Sequence, residues 1–339
     1  MKACIIGAGF IAANHASSYT SLPGITLCGI CDIRAEAAMA MANQYHCRAF
    51  CDAMEMLSQC KPDLVSVCVP THLHREAACI AMAGGADVLC EKPLALDLSD
   101  CLAMQEFANN SGRRIMAAQV LRFWPEYALI HEMIGDGAIG TLRRLQAQRI
   151  AHSTRGDWFG DPLKGGGALF DLLVHDLDYA VSLLGSRVIS LFAQGYQNKQ
   201  GSWIHVNVLL KWEGGVQVSL EAAGDMPPGF PFTMSFRADG DEGTLDLCSQ
   251  SKQNIAKSPD AHTRLIYFKD GETRALNAGS FPQGSNVEAF LRQIRAFAHG
   301  SETGHLPIPF EQSICVMYLI HQIRQSLQSG LQVVLDPLV

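Results

Sequence analysis

Ala3-Cys4-Ile5-Ile6-Gly7-Ala8-Gly9-Phe10-Ile11-Ala12 decides the fold: a short apolar run, a glycine turn and the start of a helical pattern follow one another without a gap. The spacing is G-x-G-x-x-A. Gly7 permits a tight turn, Gly9 lets backbone approach a pyrophosphate, and Ala12 is small enough for helix and strand to pack closely. Ile11 then begins a helix whose N-terminus faces the phosphates. Alone, this pattern also describes an ordinary strand–turn–helix. Its context is what gives it force, because the next strand pattern ends at Asp32, 23 residues after Gly9. An acidic group there accepts hydrogen bonds from adenine-ribose hydroxyls. A carboxylate at that place repels a 2′-phosphate, so NAD is expected in preference to NADP. Arg34, which is expected over the adenine or in solvent, is the residue that would accommodate such a phosphate.

Working outward, the first ~120 residues alternate short β-rich runs with longer helical ones, the pattern of a parallel sheet. Ala3–Ile6, Ile25–Cys31, Leu64–Val69, Asp87–Cys90 and Ile115–Ala118 read as strands. Ile11–Ser21, Arg34–Tyr45, His74–Ala83 and Leu98–Asn109 read as helices between them. Strands so continuously apolar are buried on both faces, as a doubly wound sheet requires. After Gln119 the texture changes. Pro125–Gly135 and Ala168–Leu184 are helical patterns, and Ile204–Trp212 alternates strictly, then turns at Gly214-Gly215 into Val216–Glu221. Val287–His299 and Glu311–Ser329 are the closing helical patterns. The expected organisation is a dinucleotide-binding domain over residues 1–120 and an α+β domain with a broad, mostly antiparallel sheet over 121–339.

Composition narrows the field of functions. The 339 residues carry 26 Lys and Arg against 33 Asp and Glu, a net charge of −7, and the pI is about 5.9. That charge balance lacks the basic stripe that phosphate backbones need, so nucleic acid is not an expected partner. Charged residues are only 17% and hydrophobic ones 48%, against about 25% charged in an average domain. A large core and apolar surface left for a subunit interface are expected. No apolar run approaches the ~20 residues of a membrane helix. The chain enters a strand pattern at once and leaves no room for a signal peptide, so a cytoplasmic protein is expected. Ten of the twelve cysteines fall between Cys4 and Cys101 within apolar runs and read as reduced small hydrophobes. Cys28 and Cys31 lie three apart on a strand and point to opposite faces, so they are not expected to chelate or bridge. His72 and His74 lack a third ligand, and no metal is expected.

Three further clusters carry chemistry. Pro70-Thr71-His72-Leu73-His74 and Glu91-Lys92-Pro93 each follow a strand pattern directly, where strand ends face a ligand. Lys164-Gly165-Gly166-Gly167 leads into a helical pattern bearing Asp171 and His175 at i and i+4, a spacing that lets a carboxylate orient an imidazole. Asp176 and Asp178 read as a solvated face or as packing and capping residues.

In this order the motifs at Gly7–Ala12, Asp32, Pro70–His74, Glu91-Lys92-Pro93, Arg122-Phe123, Trp158, Gly165–Gly167, Asp171 and His175 resemble the glucose–fructose oxidoreductase / inositol dehydrogenase (Gfo/Idh/MocA) family. The resemblance spans most of the chain. It implies an N-terminal Rossmann domain and a C-terminal open-faced sheet that assembles homodimers or homotetramers. It also implies a nicotinamide cofactor held by Gly7, Gly9, Phe10, Ile11, Asp32, Arg34, Pro70, Thr71, His74, Glu91 and Lys92. Lys92, Asp171 and His175 match the family's catalytic positions, and Arg122, Arg155, Asp157 and Trp158 lie in segments the family uses near substrate. Leu172-Leu173-Val174 stands where members often have a glycine between Asp and His. The implied activity is hydride transfer between NAD(H) and a secondary alcohol or ketone of a sugar, sugar derivative or cyclitol. A glycosidase using NAD without net redox change and a non-catalytic NAD-binding regulator are the alternatives the resemblance leaves open. Which of Lys92 and His175 acts as base also stays open.

Overall fold

In the computed structural model, residues 1–152, 158–251, 262–279 and 285–335 are described. Residues 153–157, which include the candidates Arg155 and Asp157, lie outside them. The chain divides into two compact units: Met1–Val120 with Val287–Met317, and Leu121–Asn286 with Tyr318–Val339.

The first unit is built on β1 (Lys2–Ile6), α1 (Phe10–Ser21), β2 (Thr26–Cys31), α2 (Ala35–Gln44), β3 (Arg48–Phe50), α3 (Ala53–Cys60), β4 (Leu64–Val67), α4 (His74–Ala83), β5 (Asp87–Glu91), α5 (Leu98–Ser111) and β6 (Ile115–Ala118). Its six strands are all parallel, in the order β3-β2-β1-β4-β5-β6. β4, β5 and β6 are buried along their whole length, which is why these runs lack alternation. The order reverses at β1, so ligand-facing loops gather at the carboxyl ends of the neighbouring strands.

The short β3–α3 pair escapes a reading by periodicity, although Asp52 caps α3 by accepting from Glu55 N at 2.7 Å, a D-x-x-E signal visible in the sequence. The first unit also takes in a later segment, Val287–Met317. The helix α9 (Ser285–Thr303) joins the first unit, 187 residues beyond the strand loop that holds it. Buried Asp87 accepts from Arg114 Nε at 3.0 Å and from the Ser301 hydroxyl, while Arg114 Nη2 donates to Ser301 O at 2.6 Å. The His15 and Phe290 rings meet 5.8 Å apart, fastening α9 on α1.

The second unit comprises α6 (Pro125–Gly135), β7 (Leu142–Ile150), α7 (Gly167–Asp171), α8 (Leu173–Leu184), β8 (Val188–Gln197), β9 (Trp203–Trp212), β10 (Gln217–Ala223), β11 (Phe232–Gly240), β12 (Gly243–Ser251), β13 (His262–Lys269), β14 (Glu272–Leu276) and β15 (Val333–Val334). The final helix is α10 (Phe310–Ser329). Nine strands run in the order β14-β13-β12-β11-β7-β10-β9-β8-β15, antiparallel except for β7 beside β10. On β9, Val206, Val208, Leu210 and Trp212 are buried in alternation with exposed residues, so one face makes the core and the other stays open. α7 packs on β9 and α8 on β7 and β10, covering the apolar face. Gly214 and Gly215 turn β9 into β10 as the alternation implied.

Candidate functional site

Loops at the carboxyl edge of the parallel sheet hold the first group of candidate residues. Gly7 has φ +103°, and a Cβ there would stand 2.4 Å from Cys68 O, so only glycine lets β1 turn beside β4. Its N–H donates to Cys31 O at 2.7 Å. At Gly9 a Cβ would meet nothing within 4 Å. The protein itself does not demand glycine at that position; a ligand that needs close backbone approach does. Gly9 is also the N-cap of α1 and supplies no side-chain cap, which leaves the first helical N–H groups available to an anion. Phe10 is exposed beside this turn and Ile11 half-buried. These features fit the pyrophosphate of a dinucleotide.

Asp32 is tied into the same turn. Its Oδ2 accepts from Ala8 N at 2.8 Å and its Oδ1 from Arg34 N at 2.9 Å. Burial opposes its charge, but the hydrogen bonds from Arg34 and Ala8 outweigh it and hold the carboxyl below its usual range. The Arg34 side chain is exposed. Its guanidinium forks onto Asp32 at 3.1 and 3.2 Å, an exposed pair worth up to about 1 kcal/mol.

Beyond β4, Pro70 is exposed and Thr71 buried. His74 is buried too, with Nδ1 2.8 Å from Pro93 O and Nε2 2.9 Å from Val69 O. Burial holds its pKa below the usual histidine value. The ring nitrogens meet main chain, so His74 shapes the two loops instead of offering a nitrogen to a dinucleotide. Glu91 is likewise buried: Oε1 lies 2.8 Å from His15 Nε2, and Oε2 accepts from Lys92 N at 3.2 Å. From residue 86 to 95, Lys92 alone is not buried. Sequence reasoning passed over His15; the signal was a histidine three residues after Ala12 on an apolar helix.

In the second unit, residues 158–167 form a hydrogen-bonded turn leading into α7. Asp161 O accepts from Gly165 N and Gly166 N at 3.0 and 3.1 Å, and Phe159 O from Gly167 N at 2.9 Å. Gly167 has φ +73°, and a Cβ there would stand 2.6 Å from Trp203 O, which accounts for glycine at the helix start. Trp158 is half-buried against Gly165. Asp171 and His175 do not share one continuous helix. α7 ends at Asp171, Leu172 breaks the regular geometry, and His175 N bonds Leu172 O at 3.3 Å in the first turn of α8. Asp171 is buried. From residue 165 to 181, His175 alone is not buried.

Asp176 and Asp178 are fully buried, which corrects the reading of a solvated face. Each accepts a two-pronged arginine: Asp176 from Arg149 at 3.0 and 3.0 Å, Asp178 from Arg122 at 2.8 and 2.7 Å. Burial lifts both carboxyls above their usual range despite the arginines. The Arg122 fork is thus turned onto Asp178. Among the described residues no group of three His, Cys, Asp or Glu side chains can hold a metal ion.

A glycine turn at a helix N-terminus, an acidic residue closing β2 and a switch point in a parallel sheet define a dinucleotide-binding protein with a second, sheet-bearing unit. Two family models match the chain: "Oxidoreductase family, NAD-binding Rossmann fold" over residues 1–119 and "GFO/IDH/MocA C-terminal domain" over residues 127–246. The chain belongs to the Gfo/Idh/MocA oxidoreductases, an NAD-binding family. It is 32% identical to D-glucoside 3-dehydrogenase of Escherichia coli K12 over 58% of each chain. It is 25% identical to inositol 2-dehydrogenase of Rhizobium meliloti over 89% of this chain and 91% of that one. An oxidoreductase from Agrobacterium radiobacter, solved with NAD+, L-tartaric acid and magnesium, superposes with a TM-score of 0.84 at 21% identity, covering 98% of both chains.

Proposed function

We propose that this protein oxidises a secondary hydroxyl of a sugar, sugar derivative or cyclitol, or reduces the matching ketone, with NAD(H). The observation that carries the reading is the pair of openings at Lys92 and His175, each the one accessible residue in an otherwise buried stretch. Bound NAD supplies the hydride acceptor. Oxidation then requires a base for the hydroxyl proton and a cation for the developing oxyanion. His175 takes the proton, with the buried Asp171 one turn before it stabilising the imidazolium. Lys92 donates to the substrate oxygen as its charge grows. Relatives named for dehydrogenation of a glucoside, of D-apiose and of inositol support the substrate class.

Gly7, Gly9, Phe10 and Ile11 hold the pyrophosphate end, Asp32 the adenine ribose, and Pro70, Thr71 and Glu91-Lys92 the nicotinamide side. Trp158 offers a ring face to a sugar, and Arg122 supports the substrate segment through Asp178. Two assignments complete the proposal: a homodimer or homotetramer, and the cytoplasm. The open sheet face carries Leu209, Phe268 and Arg237, residues suited to an interface between copies. All twelve cysteines are free thiols, in keeping with a reducing compartment. The test is NADH formation against sugars, inositols and sugar acids, with NAD and NADP run in parallel. Turnover with NAD supports the proposal; NAD binding with silence across the panel removes it.

A further inference from the structure

The chain Tyr19–Ser66–His15–Glu91 crosses from α1 through β4 to β5, and all four residues are buried. Tyr19 Oη lies 2.8 Å from Ser66 Oγ, Ser66 Oγ 2.9 Å from His15 Nδ1, and His15 Nε2 2.8 Å from Glu91 Oε1. From these positions we infer that His15 is a neutral, Nε2-protonated positioning residue for Lys92.

Proton counting leaves one arrangement. Suppose His15 were an imidazolium, or took a proton at Nε2 from a neutral Glu91. Its Nδ1–H would then donate to Ser66, and three protons, on Tyr19, Ser66 and Nδ1, would share two contacts. One buried hydroxyl proton, that of Tyr19 or of Ser66, would be left without an acceptor among the described residues. An unsatisfied buried hydroxyl costs more than the rearrangement that avoids it. In the opposite direction every group is satisfied. Tyr19 donates to Ser66, Ser66 to Nδ1, and Nε2–H to an ionised Glu91. Burial pushes the Tyr19 phenol up, which keeps it a donor.

The far end of this relay is the Lys92 turn. With Oε1 held by His15, Glu91 presents Oε2 to the backbone N–H of Lys92 at 3.2 Å. The carboxylate is thereby pinned between α1 and the residue that carries the ammonium. His15 touches neither substrate nor cofactor in this scheme; it fixes where Lys92 starts. The sharpness of such a device matters because small misplacement of a reacting group costs rate out of proportion to distance.

The proton assignment stands on geometry alone, and the kinetic arm rests on the NAD reading above. Nitrogen NMR of the full chain labelled at histidine, with the His15 signals identified by their loss in His15→Gln, is expected to show an Nε2–H tautomer at neutral pH. An Nδ1–H tautomer or an imidazolium overturns the inference. In turnover, His15→Leu is expected to lower kcat about tenfold or more while the NAD dissociation constant moves less than about threefold, and His15→Gln, which retains a donor, to recover most of kcat. Undiminished kcat in His15→Leu overturns the positioning role, as does equal loss in both variants with a collapsed melting temperature. Should His15→Leu not fold, Ser66→Ala serves instead: removing the donor to Nδ1 is expected to mix the tautomers and lower kcat, and unchanged spectra overturn the relay. A wild-type chain that binds no NAD by calorimetry would sink the NAD reading while leaving the NMR result to decide the proton.

Discussion

Asp32 Oδ2 accepts the N–H of Ala8 at 2.8 Å, so the residue that closes β2 also holds the middle of the glycine turn after β1. One carboxylate thus anchors the glycine turn and, in the proposed function, meets the adenine ribose. Asp32→Ala is expected to weaken NAD binding about tenfold to a hundredfold, since a ribose partner and a turn anchor go together. Isothermal calorimetry checks this, and the same variant should narrow the preference for NAD over NADP. Arg34→Ala should widen that preference, because the carboxylate then faces a 2′-phosphate without its guanidinium.

Gly7→Ala forces a Cβ to within 2.4 Å of Cys68 O at a φ of +103°. The strain falls on backbone on both sides. We expect a loss of several kcal/mol, on the scale of severe local clashes, read as a lowered melting temperature with NAD stabilisation abolished. Gly9→Ala, by contrast, meets no protein atom within 4 Å and should keep the melting temperature while losing NAD affinity. That contrast separates fold from ligand.

Arg122 and Asp178 form a buried two-pronged pair, the aspartate fully enclosed. Removing the arginine leaves an unpaired charge in the core, so Arg122→Leu is expected to cost about 3–5 kcal/mol. Asp178→Asn should cost less, because the amide still accepts one hydrogen bond. Chemical denaturation of the two variants measures the difference.

His74 gives the fold a pH dependence of definite sign. Its folded pKa is lowered, so the unfolded chain binds a proton more readily than the folded one. Its contribution to stability is fully present above the unfolded value of about 6.5 and is lost as pH falls toward the folded value. Every tenfold difference in proton affinity between the folded and unfolded chain is worth about 1.4 kcal/mol. Melting temperatures between pH 8 and 5 should fall for wild type, and His74→Gln should flatten the part of that slope due to this ring.

The parallel sheet, the glycine turn and the Gly214-Gly215 hairpin were legible because each is a local pattern: a run of apolar residues, a fixed glycine spacing, an alternation of period two. What escaped was mostly long-range or conditional. Arg114 finds Ser301 across 187 residues, and nothing in either segment announces it, so α9 was assigned to the second unit. Whether Asp176 and Asp178 are solvated or packed was not decided by sequence, because their arginines, Arg149 and Arg122, lie 27 and 56 residues away. Asp171 and His175 have helical spacing, but the kink at Leu172 depends on how α7 and α8 pack on the sheet. His15 was hidden for the opposite reason: a lone histidine on an apolar helix reads as core until Ser66 and Glu91 are seen beside it.

The most direct test of the account is NADH formation by the wild-type chain, Lys92→Met and His175→Asn on a responsive polyol, with NAD binding measured alongside. The account expects NAD to bind all three and kcat to fall at least about a hundredfold in each variant. Turnover near the wild-type rate in both variants would contradict it.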